Sequence, residues 1–264
     1  MELTKPGLDM LQPDWKKRVP TNVDALFTCR SGGVSSGAYG TVDGIMGLNV
    51  APHTGDFASC VRMNRDIVSQ LVPTDPVWLT QVHGTTVVEA DAVEVNVEAD
   101  AALTTKPGVV CTVMVADCLP VLLTDDRGTV VAAVHAGWKS LADGILQKTV
   151  GLMQEKAGAA ARLTAWMGPR IDAEHFEVGE DVLTAMKRLL PEADAAFQPA
   201  ADGKYLADLG ALARQALMQA GLADEDILDS ALSTYNDEKR FYSYSRDGEK
   251  SGRHAAMIWI KPSA

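Results

Sequence analysis

Three closely spaced apolar runs between Val109 and Val134 constrain the fold of this chain more than any other stretch. Val109 to Ala116 forms a near-continuous apolar run of strand length. Such a strand buries both faces, so it belongs inside a layered fold. Pro120 interrupts the run, and Val121 to Thr124 resumes it. Thr129 to Val134 adds a β-branched run, which favours another strand.

Strand patterns also cover Ala25 to Arg30, Val77 to Val82, Thr85 to Glu89, Leu163 to Met167, Arg240 to Ser245 and Ala255 to Ile260. Helical spacing marks Ser59 to Leu71, with Asn64 as the one polar exception on its apolar face. It also marks Leu141 to Lys156, Val178 to Leu190 and Tyr205 to Ala220, the last closed by Gly221 at the C′ position. Ser31 to Gly47 is rich in glycine and predicts a loop that covers, or closely approaches, a ligand. Strands and helices mix without a strict βαβ rhythm. The expected class is α/β or α+β layered, with a mixed sheet flanked by helices in one domain over 1–264. No G-x-G-x-x-G or Walker A motif supports a nucleotide-binding Rossmann or P-loop domain.

The formal net charge is −11. An acidic chain is a poor binder of nucleic acid through phosphate contacts. No apolar run approaches the ~20 residues of a membrane span. Residues 1–9 lack the basic-then-apolar pattern of a leader. Cysteines 29, 60, 111 and 118 form no C-x-x-C pair, so a reducing cytoplasm and free thiols are expected. The oligomeric state, monomer or homodimer, is left open.

Three residues stand in chemically dense segments: His83, Cys118 and His135, each where an apolar strand enters a turn. Cys118 lies 35 residues after His83, and His135 lies 17 after Cys118. These spacings exclude a zinc finger and a helical H-E-x-x-H pair. They suit ligands delivered from the ends of three strands. Two imidazoles and a thiolate make a competent zinc site, and three protein ligands leave one position open, as in catalytic zinc. The alternative is a small buried thiol and two hydrogen-bonded turn histidines. Asp117, beside Cys118, is a candidate general base, a partner to a ligand histidine, or a cap for backbone amides.

The segments W-L-T-Q-V-H-G (78–84), V-M-V-A-D-C-L-P-V-L-L (113–123) and V-A-A-V-H-A-G-W-K (131–139) resemble the YfiH-type laccase-domain family, also called polyphenol oxidase-like proteins. Outer segments agree in order: F-T-C-R-S-G-G-V-S (27–35), G-L-N-V (47–50), T-G-D (54–56), N-R (64–65), W-M-G-P (166–169), F-E-V-G (176–179), R-F-Y-S-Y-S-R-D-G (240–248) and S-G-R (251–253). The resemblance implies zinc held by His83, Cys118 and His135. It also implies phosphorolysis of adenosine, inosine and S-methyl-5′-thioadenosine, with deamination of adenosine. The partners would be a purine nucleoside and inorganic phosphate. Arg30, Arg65 and Arg246 lie in matching segments and are candidate phosphate cations, with Gly32 and Gly33 as backbone donors. Trp138, Asp100 and Tyr244 are lesser candidates. His53, His175 and His254 are expected to be structural or on the surface.

The chain departs from the family pattern at Lys139-Ser140, at Arg170-Ile171-Asp172 and in S-Y-S-R-D, which lacks one arginine. These departures bear on phosphate affinity and substrate choice. A four-copper oxidase needs about ten histidines, partly as H-x-H pairs; this chain has five and no such pair. Copper could still load the site by substitution and give weak polyphenol oxidation. The H-x-E…P-C-x-x-C signature of nucleobase deaminases is absent. Two other readings stand beside the phosphorylase. One is a metal-free hydrolase with Cys118 as nucleophile and His135 as base, for example editing cell-wall precursors. The other is a non-enzymatic binding module.

Overall fold

The structure is a computed structural model that describes residues 7–16, 18–93 and 97–262. Residues 1–6, part of the N-terminal stretch without a leader pattern, lie outside them. In chain order the elements are β1 (Met10–Leu11), β2 (Val23–Thr28), β3 (Ser31–Ser35), α1 (Ala58–Ser69), β4 (Val87–Glu89), β5 (Ala101–Thr104), β6 (Val110–Val115), β7 (Leu119–Asp125) and β8 (Val131–Ala136). They continue with α2 (Trp138–Ala142), α3 (Ile145–Ala157), β9 (Leu163–Met167), β10 (Glu177–Val178), α4 (Glu180–Lys187), β11 (Phe197–Pro199) and β12 (Tyr205–Ala207). The last are α5 (Leu209–Gln219), β13 (Ile227–Asp229), α6 (Tyr244–Asp247) and β14 (His254–Ile260).

Two sheets stack at the centre. One has the order β13-β9-β7-β8-β5-β4, with parallel pairs at both edges and antiparallel pairs between. The other has the order β1-β2-β14-β6 and is antiparallel throughout. Side-chain alternation assigns the faces. In β7, Leu119, Val121 and Leu123 face helices α2 to α5, while Leu122 points between the sheets. In β14, Ala256, Ile258 and Ile260 face that inter-sheet layer, and Ala255, Met257 and Trp259 face the α1 side. The result is helix, sheet, sheet and helices, so both sheets are covered and the central strands read as unbroken apolar runs. Each fully buried leucine here contributes about 1.5–3 kcal/mol. The expected mixed α/β architecture is present, with two main sheets rather than one.

Several local expectations change. Val77 to Val82 makes only single bridges, at Val77 and Thr80. The Gln81 side chain takes the place of a strand: Nε2 donates to Met114 O and Oε1 accepts from Met114 N, both at 2.7 Å. The helix expected from Leu141 breaks at Gly144, whose φ is +86°. Tyr205 to Ala207 pairs in a small sheet, and the helix starts only at Leu209, where Asp208 accepts from Ala211 N. Its other end carries Gly221 at φ +105°, with Leu222 N bonded to Leu217 O and Gly221 N to Met218 O. Likewise α4 begins after the β10 pairing rather than at Val178. Arg240 to Ser245 is not a strand: Arg240 N and Phe241 N turn back onto Asp237 O, and other backbone groups bond to side chains. Tyr242 N donates to His254 Nε2, and Arg246 Nη2 to Phe241 O.

The glycine-rich segment 31–47 includes β3 and approaches other parts of the same chain. A side chain on Gly33 would meet Gly47 O at 2.2 Å and Asn64 Oδ1 at 2.4 Å; one on Gly32 would meet Leu8. The two glycines expected as phosphate donors are therefore packed against protein. Asn64, the polar exception in α1, is wholly buried and satisfied by Val34 N, Ser35 Oγ and Asn49 O.

Candidate metal centre

Three chain segments end at one point. His135 is the penultimate residue of β8. It shares the inter-sheet face with Val131 and Ala133. Cys118 immediately precedes β7, and His83 lies in the loop before β4. The ligand atoms of His83, Cys118 and His135 all lie within 4.8 Å of one another. His83 Nε2 is 3.8 Å from Cys118 Sγ, and the two imidazoles sit edge to face, 4.8 Å apart.

The backbone is forced where the donors meet. His83 has φ +58° and Asp117 has φ +81°, the left-handed region that residues with a β-carbon seldom adopt. Asp100 and Asp117 hold these turns. Asp100, wholly buried, accepts from Val82 N at 3.2 Å, His83 N at 3.0 Å and Gly84 N at 2.7 Å. Its Oδ1 also lies 2.8 Å from His135 Nδ1. Asp117 Oδ1 accepts from Thr234 Oγ1 and Oδ2 from Ser245 N, each at 2.6 Å. Gly137 leaves room for the cluster: a side chain there would meet His83 Cδ2 at 2.9 Å and Cys118 Sγ at 3.2 Å.

Electrostatics favours a thiolate. Burial pushes the Cys118 thiol up, but His135 and His83 outweigh it and bring it down to about 6. Burial lowers His135, while Cys118 and Asp100 raise it to about 9. Burial opposes the Asp100 charge, but His135 and the backbone amides hold it below the usual carboxylate range. By contrast, burial pushes Cys29 and Cys111 far above the ordinary thiol value. Among the described residues all four cysteines are free thiols.

The donor set fits a divalent metal such as zinc. Two imidazoles and a low-pKa thiol converge, and Asp100 occupies His135 Nδ1 so that Nε2 remains for the metal. The cluster opens on a cavity of about 510 Å³, within the range of small-molecule sites. Its walls are largely apolar, with Met114, Trp138, Ile171, Phe176 and Leu209. Gln81, Asp117, Tyr244 and two residues not singled out from the sequence for the site, His53 and Arg253, also line it.

The expected phosphate cations are placed differently. Arg30 is buried and donates to the carbonyls of Gly40, Glu238 and Ala38, so it ties a loop together. Arg246 donates to Thr234 O, Tyr235 O and Phe241 O and pairs with Asp247. Neither lines the cavity. Arg65 stands behind it, with Nη2 at 3.7 Å from Met114 Sδ. His254 is wholly buried, and His175 pairs with Asp172 and stacks on Tyr235. Arg253 also lies in a matching segment, S-G-R, but was not read as a phosphate cation; the fold brings it to the cavity beside the cluster.

Soft-to-borderline donors at strand ends, open to a cavity on one side, define a candidate metal centre of the open, catalytic kind. Residues 24–261 match the family described as multi-copper polyphenol oxidoreductase laccase. The chain belongs to this family. It is 40% identical over 258 residues to a purine nucleoside phosphorylase of Haemophilus influenzae, covering 96% of this chain and all of the relative. It is 39% identical over 254 residues to purine nucleoside phosphorylase YfiH of Escherichia coli, covering 95% and 98%. Among solved structures, a Neisseria meningitidis protein of the DUF152 family superposes with TM-score 0.86 at 42% identity, covering 96% and 99%. A Bacillus licheniformis protein named YfiH superposes with TM-score 0.84 at 28% identity, covering 98% of each chain.

Proposed function

We propose that this chain is a zinc-dependent purine nucleoside phosphorylase acting on adenosine, inosine and S-methyl-5′-thioadenosine, with adenosine deamination as a side activity. One observation carries the reading: the His83, Cys118 and His135 donors converge at the wall of an apolar cavity of nucleoside size. The names of relatives matching nearly the whole chain support it. Zinc held by the three donors would supply Lewis-acid polarisation of a phosphate or a water oxygen.

The chain's own residues supply the rest. Met114, Trp138 and Phe176 offer apolar and aromatic surface for a purine ring and exclude water from it. Asp100 orients His135. In phosphorolysis a phosphate oxygen bonds to the sugar C1′ as the C1′–N bond breaks, and the leaving purine takes a proton. In deamination water replaces the exocyclic amine and ammonia leaves. Asp117 has both carboxylate oxygens committed to Thr234 and Ser245, which favours the turn-holding role over the general base. We further propose that the chain works as one domain, in the cytoplasm. Among the described residues no helix is long and apolar enough to cross a membrane.

Metal-stripped protein reloaded with zinc, or with copper, tests the reading by product chromatography. Zinc should give free adenine from adenosine plus phosphate, with some inosine. Phenol oxidation should appear only with copper. Zinc protein that leaves every purine nucleoside intact would refute the proposal. A thiol hydrolase is the second reading, because Cys118 sits against His83 and His135, which pull its thiol down.

A further inference from the structure

A second cluster faces the cavity beside the three donors. Arg253 lines the cavity wall together with Cys118 and Tyr244. Its Nη1 donates to Ser251 O at 2.7 Å and Gly252 O at 3.0 Å, and its guanidinium lies 5.6 Å from the centre of the Tyr244 ring. Among the described residues, neither its Nε nor its Nη2 has a hydrogen-bond partner and no carboxylate lies within ion-pair distance, although the charges of Cys118 and Asp117 act on it from farther off. Arg65 likewise has no acid partner among the described residues, but its Nε donates to Val50 O, its Nη2 to Met114 Sδ, and its guanidinium stacks on Trp78 at 4.2 Å.

One short segment brings the two together. Val50 N donates to Arg253 O, and Val50 O accepts Arg65 Nε. Asn49 Oδ1 accepts Arg253 N and fixes the same segment from its other side. His53 follows three residues later and lines the cavity. The charges of Arg253 and Arg65 both reach His53 and add to burial in lowering its pKa. The charges of Cys118 and Asp117 leave the Nε and Nη2 donors of Arg253 unused, and a half-buried guanidinium with open donors beside a cavity favours an anion that can accept them. Guanidinium forks match phosphate oxygens bidentately.

We propose that Arg253 and His53 at the cavity wall, backed by Arg65 from behind it, form a phosphate-dianion subsite open to free phosphate or to a phosphate ester. Resting on the phosphorylase reading, the inference assigns free inorganic phosphate as the occupant. It replaces Arg30 and Arg246, whose donors are used by the protein's own carbonyls.

Zinc-loaded wild type, Arg253→Gln, Arg65→Gln, Arg253→Lys and His53→Gln would be titrated calorimetrically with inorganic phosphate and, separately, with inosine 5′-monophosphate. KM for phosphate and for inosine would be measured alongside zinc content. Each Gln variant at an arginine should weaken phosphate binding by about tenfold or more, with KM for inosine within about twofold and zinc retained. Arg253→Lys should recover part of the loss. His53 is exposed, so His53→Gln should fold and weaken phosphate by about threefold. Unchanged phosphate binding in both arginine variants would overturn the subsite. So would loss of the nucleotide alone, or parallel loss of inosine and phosphate. Phosphate binding that depends on Arg253 in a protein without phosphorolysis would keep the subsite and remove the phosphorylase reading.

Discussion

Asp100 reaches both candidate histidine ligands: its carboxylate lies 2.8 Å from His135 Nδ1 and accepts the His83 amide at 3.0 Å. One buried side chain therefore fixes the ring of one donor and the left-handed turn of the other. Outer partners of this kind typically contribute 10–100-fold to metal affinity. Asp100→Ala should lower zinc affinity by about that factor, read by competition with a chromophoric chelator. Unchanged affinity would mean that the turn holds without the carboxylate.

Gly137 gives a steric test. Its φ is −68°, so alanine is allowed by the backbone, yet the new Cβ would press on His83 Cδ2 and Cys118 Sγ. Gly137→Ala should reduce metal stoichiometry. Gly151→Ala, inside α3 with open space around it, should keep the metal and stabilise by about 0.5–1 kcal/mol. Full metal binding by Gly137→Ala would show that the donors have slack.

Thiol chemistry separates the metal-site reading from the hydrolase reading. In metal-stripped protein, iodoacetamide should label Cys118, while Cys29 and Cys111 stay inert because burial holds their thiols protonated. Added zinc should protect Cys118, with Cys60 as an internal comparison in peptide mapping. Equal labelling of Cys118 with and without zinc would favour a free nucleophile.

His254 predicts an acid response. Burial, aided by Arg30 and Arg253, lowers its pKa to about 3, and Nε2 must stay unprotonated to accept Tyr242 N–H. The unfolded chain protonates this ring from about 6.5 downward while the folded chain does not. Stability from this group is whole above that value and falls with pH by about 1.4 kcal/mol per unit toward 3. His254→Gln keeps an acceptor and should flatten that slope between about pH 6.5 and 4.5, above the carboxylate range. Identical slopes in urea melts would contradict this.

Legibility in the sequence followed local physics. Val110–Val115 and Val131–Ala136 announce themselves because strands buried on both faces need unbroken apolar runs. His83, Cys118 and His135 stand out as polar residues where such runs end. The Gln81 clamp and the carbonyl-bound Arg30 were not legible, and neither were Thr234 and Ser245 as the partners of Asp117, whose role as a cap for backbone amides was among those expected; each depends on partners far along the chain. Pro120 also misled: it lies second in β7, where strands tolerate a missing N–H. Arg253 is a plain surface-type residue until β14 and the Val50 segment bring it to the cavity.

The most direct test compares zinc-loaded wild type with Cys118→Ala on inosine, with and without phosphate. Wild type should release hypoxanthine and ribose 1-phosphate only when phosphate is present, with about one zinc per chain. Cys118→Ala should lose both zinc and turnover. Stoichiometric zinc without phosphate-dependent base release, or full turnover in Cys118→Ala, would contradict the account.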